Sequence, residues 1–160
     1  MNLELLKYNI FIRSFAFIKI PLLSSVKPKL IELTDEKTVL RLPLNRHNKN
    51  HLGVMYFGAL CMGAEAAVGL KAAFAIHKKK KRVDFLFKDF KSDFKKRAEG
   101  DVHFICDEGR AVEALVDKCL VSGERETQTF RAYAVVPSID PNEVVAEFSI
   151  SLSMKYRPKK

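Results

Sequence analysis

The sequence predicts an α+β fold, with a curved antiparallel sheet wrapped around one long central helix. The first observation is the stretch from Met55 to His77, which is rich in Ala and apolar nearly all round. A helix of that composition is a buried one. The second observation is a series of segments in which apolar and polar residues alternate, most clearly from Glu143 to Tyr156. Successive strands with helices set apart from them are typical of α+β proteins.

The N-terminal segment, Met1 to Leu23, is rich in Leu, Ile and Phe but carries scattered charges, which predicts an amphipathic helix. No uncharged run in it approaches the roughly 20 residues of a membrane span, and it lacks the pattern of a secretory signal. Pro21 is expected to end or kink this helix, and Ser24 to Pro28 to form a linker. We therefore predict two parts, a helix and linker over residues 1–27 and a main domain over residues 28–160.

The main domain is predicted to begin with a β-hairpin, formed by Lys29–Leu33 and Thr38–Leu44. A polar loop then leads to Asn50, and the central helix follows. The interior glycines of this helix each cost roughly 1 kcal/mol relative to Ala. We therefore expect a sheet or a ligand to pack very close to the helix. The basic run Lys78–Arg82 suits the negative end of the helix dipole.

The second half of the chain is predicted to hold four strands and one inserted helix. Val83–Phe94 has a strand pattern with a bulge near Lys88, and Asp101–Cys106 is expected to pair back on it. Asp107 is a candidate cap for a helix that Gly123 ends. The last two strands are predicted over the ranges 124–136 and 143–156.

Composition limits the class of protein. The 160 residues suit one globular domain, and the net charge of +9 indicates an anionic partner such as a nucleotide-bearing cofactor, nucleic acid or a membrane surface. Cys61, Cys106 and Cys119 lie in apolar surroundings, which predicts buried thiols in a reducing, cytoplasmic compartment. The four histidines show no metal-ligand spacing on one element, so a metal site is not expected.

Glu65 is the one carboxylate between Lys49 and Lys71, in the middle of the predicted core helix. A buried glutamate is rare unless it is paired or functional. Gly58 lies two helical turns before it and Gly69 one turn after it, so all three share a face with room for a ligand. Burial raises the pKa of a carboxyl and makes it a better base near neutral pH. The alternative is that Glu65 only hydrogen-bonds the backbone or pairs with a lysine.

The spacing of Asn50, Gly53, Tyr56-Phe57-Gly58 and Glu65 resembles the motif of the hotdog-fold thioesterases, particularly the phenylacetyl-CoA (PaaI-like) branch. That family has Asn, two residues, Gly, two residues, His-Gly-Gly, and then an Asp or Glu further along the helix. Tyr56 stands where the family usually has His, and Phe57 where it has the first Gly. The resemblance covers about residues 30–156 and implies a hotdog fold.

The resemblance also implies roles for single residues. Glu65 would be the nucleophile, or the base that activates a water against the thioester carbonyl. The backbone N–H of Phe57, at the start of the helix beside Gly58, would polarise that carbonyl. Asn50 would position the water or the carbonyl, and in a hotdog dimer it would meet Glu65 across the subunit interface. Candidate substrate-binding residues are Tyr56, His51, Lys80, Lys81 and Arg82. The basic run from His77 to Arg82, with Lys95-Lys96-Arg97, could hold the nucleotide phosphates of coenzyme A, or it could be a solvated helix end and a turn.

The function expected from the resemblance is hydrolysis of acyl-CoA or acyl-carrier-protein thioesters by a homodimer or homotetramer, without a cofactor beyond the coenzyme A of the substrate. The alternative is a non-catalytic acyl-CoA or lipid-binding hotdog protein, which the replaced His and Gly favour. Nucleic-acid binding is not expected, because no aromatic residues are interleaved with the lysine run. The N-terminal helix could pack on the domain, lie on a membrane or cover an acyl pocket.

Overall fold

The computed structural model describes residues 3–158. The predicted helix start at Met1 and the predicted domain end at Lys160 lie outside the described residues. The described elements, in chain order, are α1 (Leu3–Lys19), α2 (Pro21–Ser25), β1 (Lys29–Leu33), β2 (Thr38–Leu42), α3 (Phe57–Lys79), β3 (Val83–Phe94), β4 (Val102–Cys106), α4 (Gly109–Ser122), β5 (Arg125–Val136) and β6 (Asp140–Tyr156).

The six strands form one curved, fully antiparallel sheet in the order β1-β2-β4-β5-β6-β3, and α3 is its central helix. This confirms the predicted fold class. Leu40 and Leu42 of β2 are fully buried on the same strand face, as the alternation predicts. The register of β3 against β6 shifts between Phe87 and Asp89, which confirms the predicted bulge.

The helix α3 packs on the sheet through small side chains. Ala64, Ala67 and Val68 are fully buried, and Gly63 lies against the ring of Phe104 from β4. In the described part of the chain, α3 is also the helix long and apolar enough to cross a membrane by length and composition alone. Since 61% of its apolar window is buried inside the protein, the core accounts for that composition.

Three local predictions are wrong. β4 pairs with β2 and β5 and not with β3, because the connection over residues 95–101 is longer than a hairpin loop and lets the chain reach the middle of the sheet. Asp107 does not cap α4. Its carboxylate accepts a hydrogen bond from the Tyr133 hydroxyl at 3.0 Å, and Glu108 takes the capping position without a side-chain bond. The first helix ends at Lys19, just before Pro21, as predicted, but Pro21–Ser25 forms a second short helix that reaches into the expected linker, because the fixed φ of proline suits a first helical position.

The helix α1 is attached to the edge strand β1 and to α3. The side-chain oxygen of Asn9 accepts the N–H of Leu30 at 2.8 Å, and its amide nitrogen donates to the Leu30 carbonyl at 2.9 Å. Ile12 and Ala16 are buried, and the ring of Tyr8 lies 4.7 Å from that of Phe74 on α3. One face of α1 therefore belongs to the core. The division of the chain at residues 27 and 28 stays a prediction.

Candidate active site

An open groove of about 520 Å³ lies at the start of α3 and is lined by Asn50, His51, Tyr56 and Phe57. The same groove is lined by Lys95, Lys96 and Arg97, which follow β3. Lys95 and Lys96 are paired with the carboxylates of Glu147 and Glu143. The structure therefore brings four of the predicted site residues together with Lys95, Lys96 and Arg97, which the sequence also offered as candidate phosphate-binding cations.

The loop before α3 is held in place by a residue that sequence reasoning missed. Asn48 is buried, and its amide nitrogen donates to the carbonyl of Pro43 at 2.8 Å. Its own backbone carbonyl accepts the N–H of Tyr56 at 2.8 Å, which fixes the residue before the helix. The side-chain oxygen of Asn50 accepts the N–H of Leu52 at 2.9 Å. The three asparagines of this loop were the available signal, because Asn commonly bonds nearby backbone in turns.

The helix start offers backbone donors. Tyr56 is the residue before the helix and forms no side-chain cap. The carbonyl of Tyr56 accepts the N–H groups of Ala59 and Leu60. The N–H groups of Phe57 and Gly58 lie in the first turn of the helix, where no helical carbonyl precedes them to accept a hydrogen bond. They therefore suit an external acceptor at the positive end of the helix dipole. A negatively charged oxygen is the kind of group that such donors stabilise.

Aromatic side chains crowd this helix start. A Cβ atom added to Gly58 would lie 2.7 Å from the Tyr56 ring, so that ring rests against Gly58. The Phe57 ring lies 4.7 Å from the Tyr56 ring and 6.2 Å from the ring of Phe94 on β3, between centroids. Tyr56 and Phe57 are both exposed. The two positions that depart from the thioesterase motif thus form an exposed aromatic surface beside the backbone donors.

Glu65 lines a second cavity of about 680 Å³ between α3, β3 and the N-terminal helices. Its side chain is exposed to this cavity in the single chain, so the expectation of a buried carboxylate is wrong. The reason is that the sheet encloses only one side of α3. The cavity wall is nonetheless apolar, with Ile12 and Phe15 from α1 and Phe85 from β3. Desolvation by these surroundings raises the pKa of Glu65 above its ordinary value.

Gly69 of α3 lines the same cavity as Glu65. Gly69 lies one helical turn after Glu65 and lines the same cavity, as the shared face predicts. A Cβ atom at Gly69 would lie 3.1 Å from the Phe87 ring of β3. The absence of a side chain at this position therefore keeps open the space between α3 and β3.

The cations that border the Glu65 cavity are Arg125, Lys155 and Arg157. Arg125 and Lys155 are direct neighbours across β5 and β6, a pairing that sequence reasoning had no means to see. The predicted phosphate ligands Lys80, Lys81 and Arg82 are exposed at the far end of α3 and line neither cavity described above. Lys80 ends the helix in the left-handed conformation, with φ of 52°.

Within one chain, Glu65 and the helix-start donors are separate. Glu65 lies eight residues after Phe57 along α3, a rise of about 12 Å. Asn50 and Phe57 line the first cavity and Glu65 the second. A single thioester carbonyl therefore cannot contact both groups of the same chain. Each chain therefore holds the motif residues in two separate places, at the helix start and in the Glu65 cavity.

The strand β3 is the sheet edge nearest to both halves. It runs for 12 residues, and among the strands of residues 3–158 its one neighbour is β6. Leu86, Phe90 and Phe94 on this strand are exposed. A long edge strand with exposed apolar side chains is a ready partner for another strand. The edge therefore has the properties of a surface that pairs with a second chain.

Comparison with protein families matches residues 9–152 to DUF4442, described as a domain of unknown function. That match covers most of the chain. The chain belongs to the DUF4442 family. A comparison with curated proteins found no match.

Solved structures similar to this DUF4442 protein include a protein of unknown function from Chlorobaculum tepidum, with 13% identity and a TM-score of 0.80 over 94% of this chain and 95% of that one. A thioesterase from Haemophilus influenzae matches with 10% identity and a TM-score of 0.68, over 91% and 88% of the two chains. A mutant thioesterase from Pseudomonas aeruginosa matches with 11% identity and a TM-score of 0.68, over 92% of this chain and 94% of that one. At these identities the likeness shows the hotdog fold alone.

Proposed function

We propose that this protein is a thioesterase of the PaaI-like type that hydrolyses acyl-CoA or acyl-carrier-protein thioesters in the cytoplasm. The observation that carries the proposal is the Glu65 carboxylate in an apolar cavity beside Gly69. Its raised pKa brings it closer to the working range of a general base. The hotdog fold and the thioesterase names of two similar structures agree with this reading.

The reaction needs a base or nucleophile and a donor for the oxyanion. As a base, Glu65 takes a proton from water, and the hydroxide attacks the carbonyl carbon of the thioester. The negative charge on the carbonyl oxygen is stabilised by the N–H groups of Phe57 and Gly58. When the C–S bond breaks, the thiolate leaves and receives the proton that Glu65 holds. As a nucleophile, the Glu65 carboxylate would instead attack the thioester carbon and expel the thiolate, which leaves an acyl anhydride; water then hydrolyses the anhydride, restores the Glu65 carboxylate and supplies the proton that the thiolate takes up.

A homodimer supplies both halves of this site. Because about 12 Å of helix separates Phe57 from Glu65 in one chain, the donors are proposed to come from the second copy. Pairing of β3 with its symmetry mate would extend the sheet and cover the exposed Leu86, Phe90 and Phe94. Such a contact places the helix start of each copy near the cavity of the other. A homotetramer made of two such dimers is compatible with the same interface.

The two cavities suit the acyl and coenzyme A parts of the substrate. The apolar cavity beside Glu65, at about 680 Å³, has the size of a small-molecule site and suits an acyl chain. Lys95, Lys96 and Arg97 border the helix-start groove, and suit the phosphates of coenzyme A better than the remote Lys80, Lys81 and Arg82 do.

The deciding experiment is a panel of acyl-CoA thioesters of varied chain length, with release of free thiol as the measurement. We expect hydrolysis by the wild type and a loss of about 10²- to 10⁴-fold in kcat for Glu65→Gln and Glu65→Ala. Glu32→Gln is the matched control, because Glu32 is an exposed carboxylate on β1, the opposite edge strand. Equal hydrolysis by the wild type and Glu65→Ala would refute the role of Glu65.

A non-catalytic acyl-CoA-binding protein is the second candidate. It is favoured by the Tyr56 ring, which rests on Gly58 where the family motif leaves the helix start open. Thermal stabilisation of the protein by acyl-CoA, with no thiol release from any member of the panel, would decide for binding alone. Tyr56→His, which restores the family residue, should then produce measurable hydrolysis if the larger phenol ring of Tyr56 is what blocks the reaction.

A further inference from the structure

We propose that the outer face of α1 and α2 docks onto an anionic membrane surface. The face consists of five large apolar side chains, Leu3, Ile10, Phe17, Ile18 and Leu22. Phe17, Ile18 and Leu22 are 73%, 69% and 70% exposed. An apolar patch of this kind on a protein surface marks an interaction site.

The spacing of these residues separates the outer face from the core face. Leu3, Ile10 and Phe17 are seven residues apart and lie on one stripe of the helix. Ile12 and Ala16, which are buried, lie on the opposite side. The helix is therefore apolar on two faces, and the core of the protein accounts for one of them. The outer face needs a second apolar environment.

Basic residues surround the outer face. Lys7, Arg13 and Lys19 lie on α1, where Glu4 is the acidic residue, and Lys27 follows α2. Arg13 and Lys27 line an open groove of about 570 Å³, together with Ser14, Phe17 and Ser24. Cations and hydroxyls beside an exposed aromatic ring suit lipid phosphate groups next to acyl chains. The charge of the surface is thus complementary to an anionic bilayer.

The same charges disfavour a second copy of the chain as the occupant. In a two-fold contact each surface meets itself, so residues near the axis face their own symmetry mates. Contact through this face would bring the cations that surround it, Arg13 and Lys27 among them, close to those of the other copy. Like charges at an interface cost free energy. A membrane surface satisfies the apolar residues and the cations at once.

Docking would also bring the bilayer to the candidate active site. Phe15 and Ile20 line the Glu65 cavity from the N-terminal side and are themselves exposed. An acyl chain that leaves the bilayer would thus have a short apolar route into this cavity. The docking itself does not depend on hydrolysis, because it needs only the outer face and its cations.

The test is flotation of the purified full chain with phosphatidylcholine vesicles, with or without phosphatidylglycerol, and without any thioester. We expect flotation with the anionic vesicles that weakens at raised ionic strength. Phe17→Ser is expected to lower the partition coefficient about tenfold, because one large apolar side chain is lost from the interface. Arg13→Glu with Lys27→Glu is expected to remove the preference for anionic vesicles.

Matched controls separate docking from general effects. Val121 at the end of α4 is 90% exposed, so Val121→Ser removes an apolar side chain elsewhere and should not change flotation. Arg131→Glu reverses an exposed charge on β5 and should also leave it unchanged. Absence of flotation at low salt would overturn the proposal. An oligomer that Phe17→Ser dissociates, with no vesicle binding, would assign the face to a contact between copies instead.

Discussion

The close approach of α3 to the sheet at Gly63 gives a prediction of stability that can be worked out from the structure. A Cβ atom at Gly63 would overlap the Phe104 ring, and even the third of the three ring atoms nearest to it would lie at 2.6 Å. Carbon atoms in contact are normally about 3.5–4.0 Å apart. Phe104 is fully buried, so its ring cannot swing aside into solvent. Gly63→Ala should therefore force the helix or the ring to move.

Two opposing terms set the size of the effect. Replacing Gly by Ala inside a helix stabilises the fold by about 1 kcal/mol. Overpacking a dense core costs about 1–3 kcal/mol, or more where the neighbours are rigid. We expect the packing term to dominate at Gly63, with a net loss of about 2 kcal/mol. For a domain of this size that corresponds to a fall in Tm of about 4–8 °C.

The assay is urea unfolding of the wild type, Gly63→Ala and Gly69→Ala at one protein concentration, since association would shift the transition. Gly69→Ala is the matched control, because its Cβ would lie 3.1 Å from the half-buried Phe87 beside an open cavity. We expect Gly69→Ala to stay within about 1 kcal/mol of the wild type. Equal free energies of unfolding for the two variants would refute the argument from helix–sheet distance.

Four further outcomes follow from the structure. The kcat/KM for thioester hydrolysis should rise with pH and show an inflection above 4.5, the ordinary pKa of Glu, because desolvation raises the pKa of Glu65. An inflection at or below 4.5 in the pH profile would contradict the role of Glu65 as the base. The same raised pKa stabilises the fold at low pH and its contribution is lost as pH rises through the folded-state pKa, so the pH dependence of Tm should be flatter in Glu65→Gln. Leu86→Asp puts a charge on the exposed edge strand β3 and should therefore give a folded monomer that does not hydrolyse thioesters. Circular dichroism would show the fold and light scattering the monomer, and a dimer of unchanged affinity would exclude this edge as the interface. Asn9→Ala should lower the free energy of unfolding by about 1–2 kcal/mol in urea, because both backbone groups of Leu30 lose their partner, and Asn9→Asp should also be destabilised, because a carboxylate oxygen would then face the Leu5 and Leu30 carbonyls; an unchanged free energy in both variants would contradict the hydrogen-bond assignment.

Much of the fold could be predicted because the patterns that define it are local. The alternation in 144–156 assigns each residue of β6 to a face, and the composition of α3 makes it the core helix. The order of the strands in the sheet could not be predicted in this way. Nothing in Val102–Cys106 states that β4 lies between β2 and β5, because the apolar face of a strand fits beside many partners.

The candidate site divides in the same way. The residue types and spacing of Asn50, Phe57 and Glu65 are visible in the sequence, and the structure places each of them on a cavity. The resemblance already implied that Asn50 and Glu65 of one chain lie apart, but the exposure of Glu65 and the residues that line its cavity were not visible. Spacing along a helix gives the face and the rise, but the elements that cover that face come from elsewhere in the chain.

Lys71 shows the limit most plainly. By residue type it belongs on the surface, yet it is 4% exposed, donates to the Thr34 carbonyl at 2.9 Å and pairs with Glu113 of α4 at 3.2 Å. The sequence by itself determined the central helix, the strand faces and the motif residues, because propensity and periodicity act over a few residues. The tertiary structure alone decided which strands meet, which charges are partnered and which faces stay open, because those depend on contacts between residues far apart in the chain.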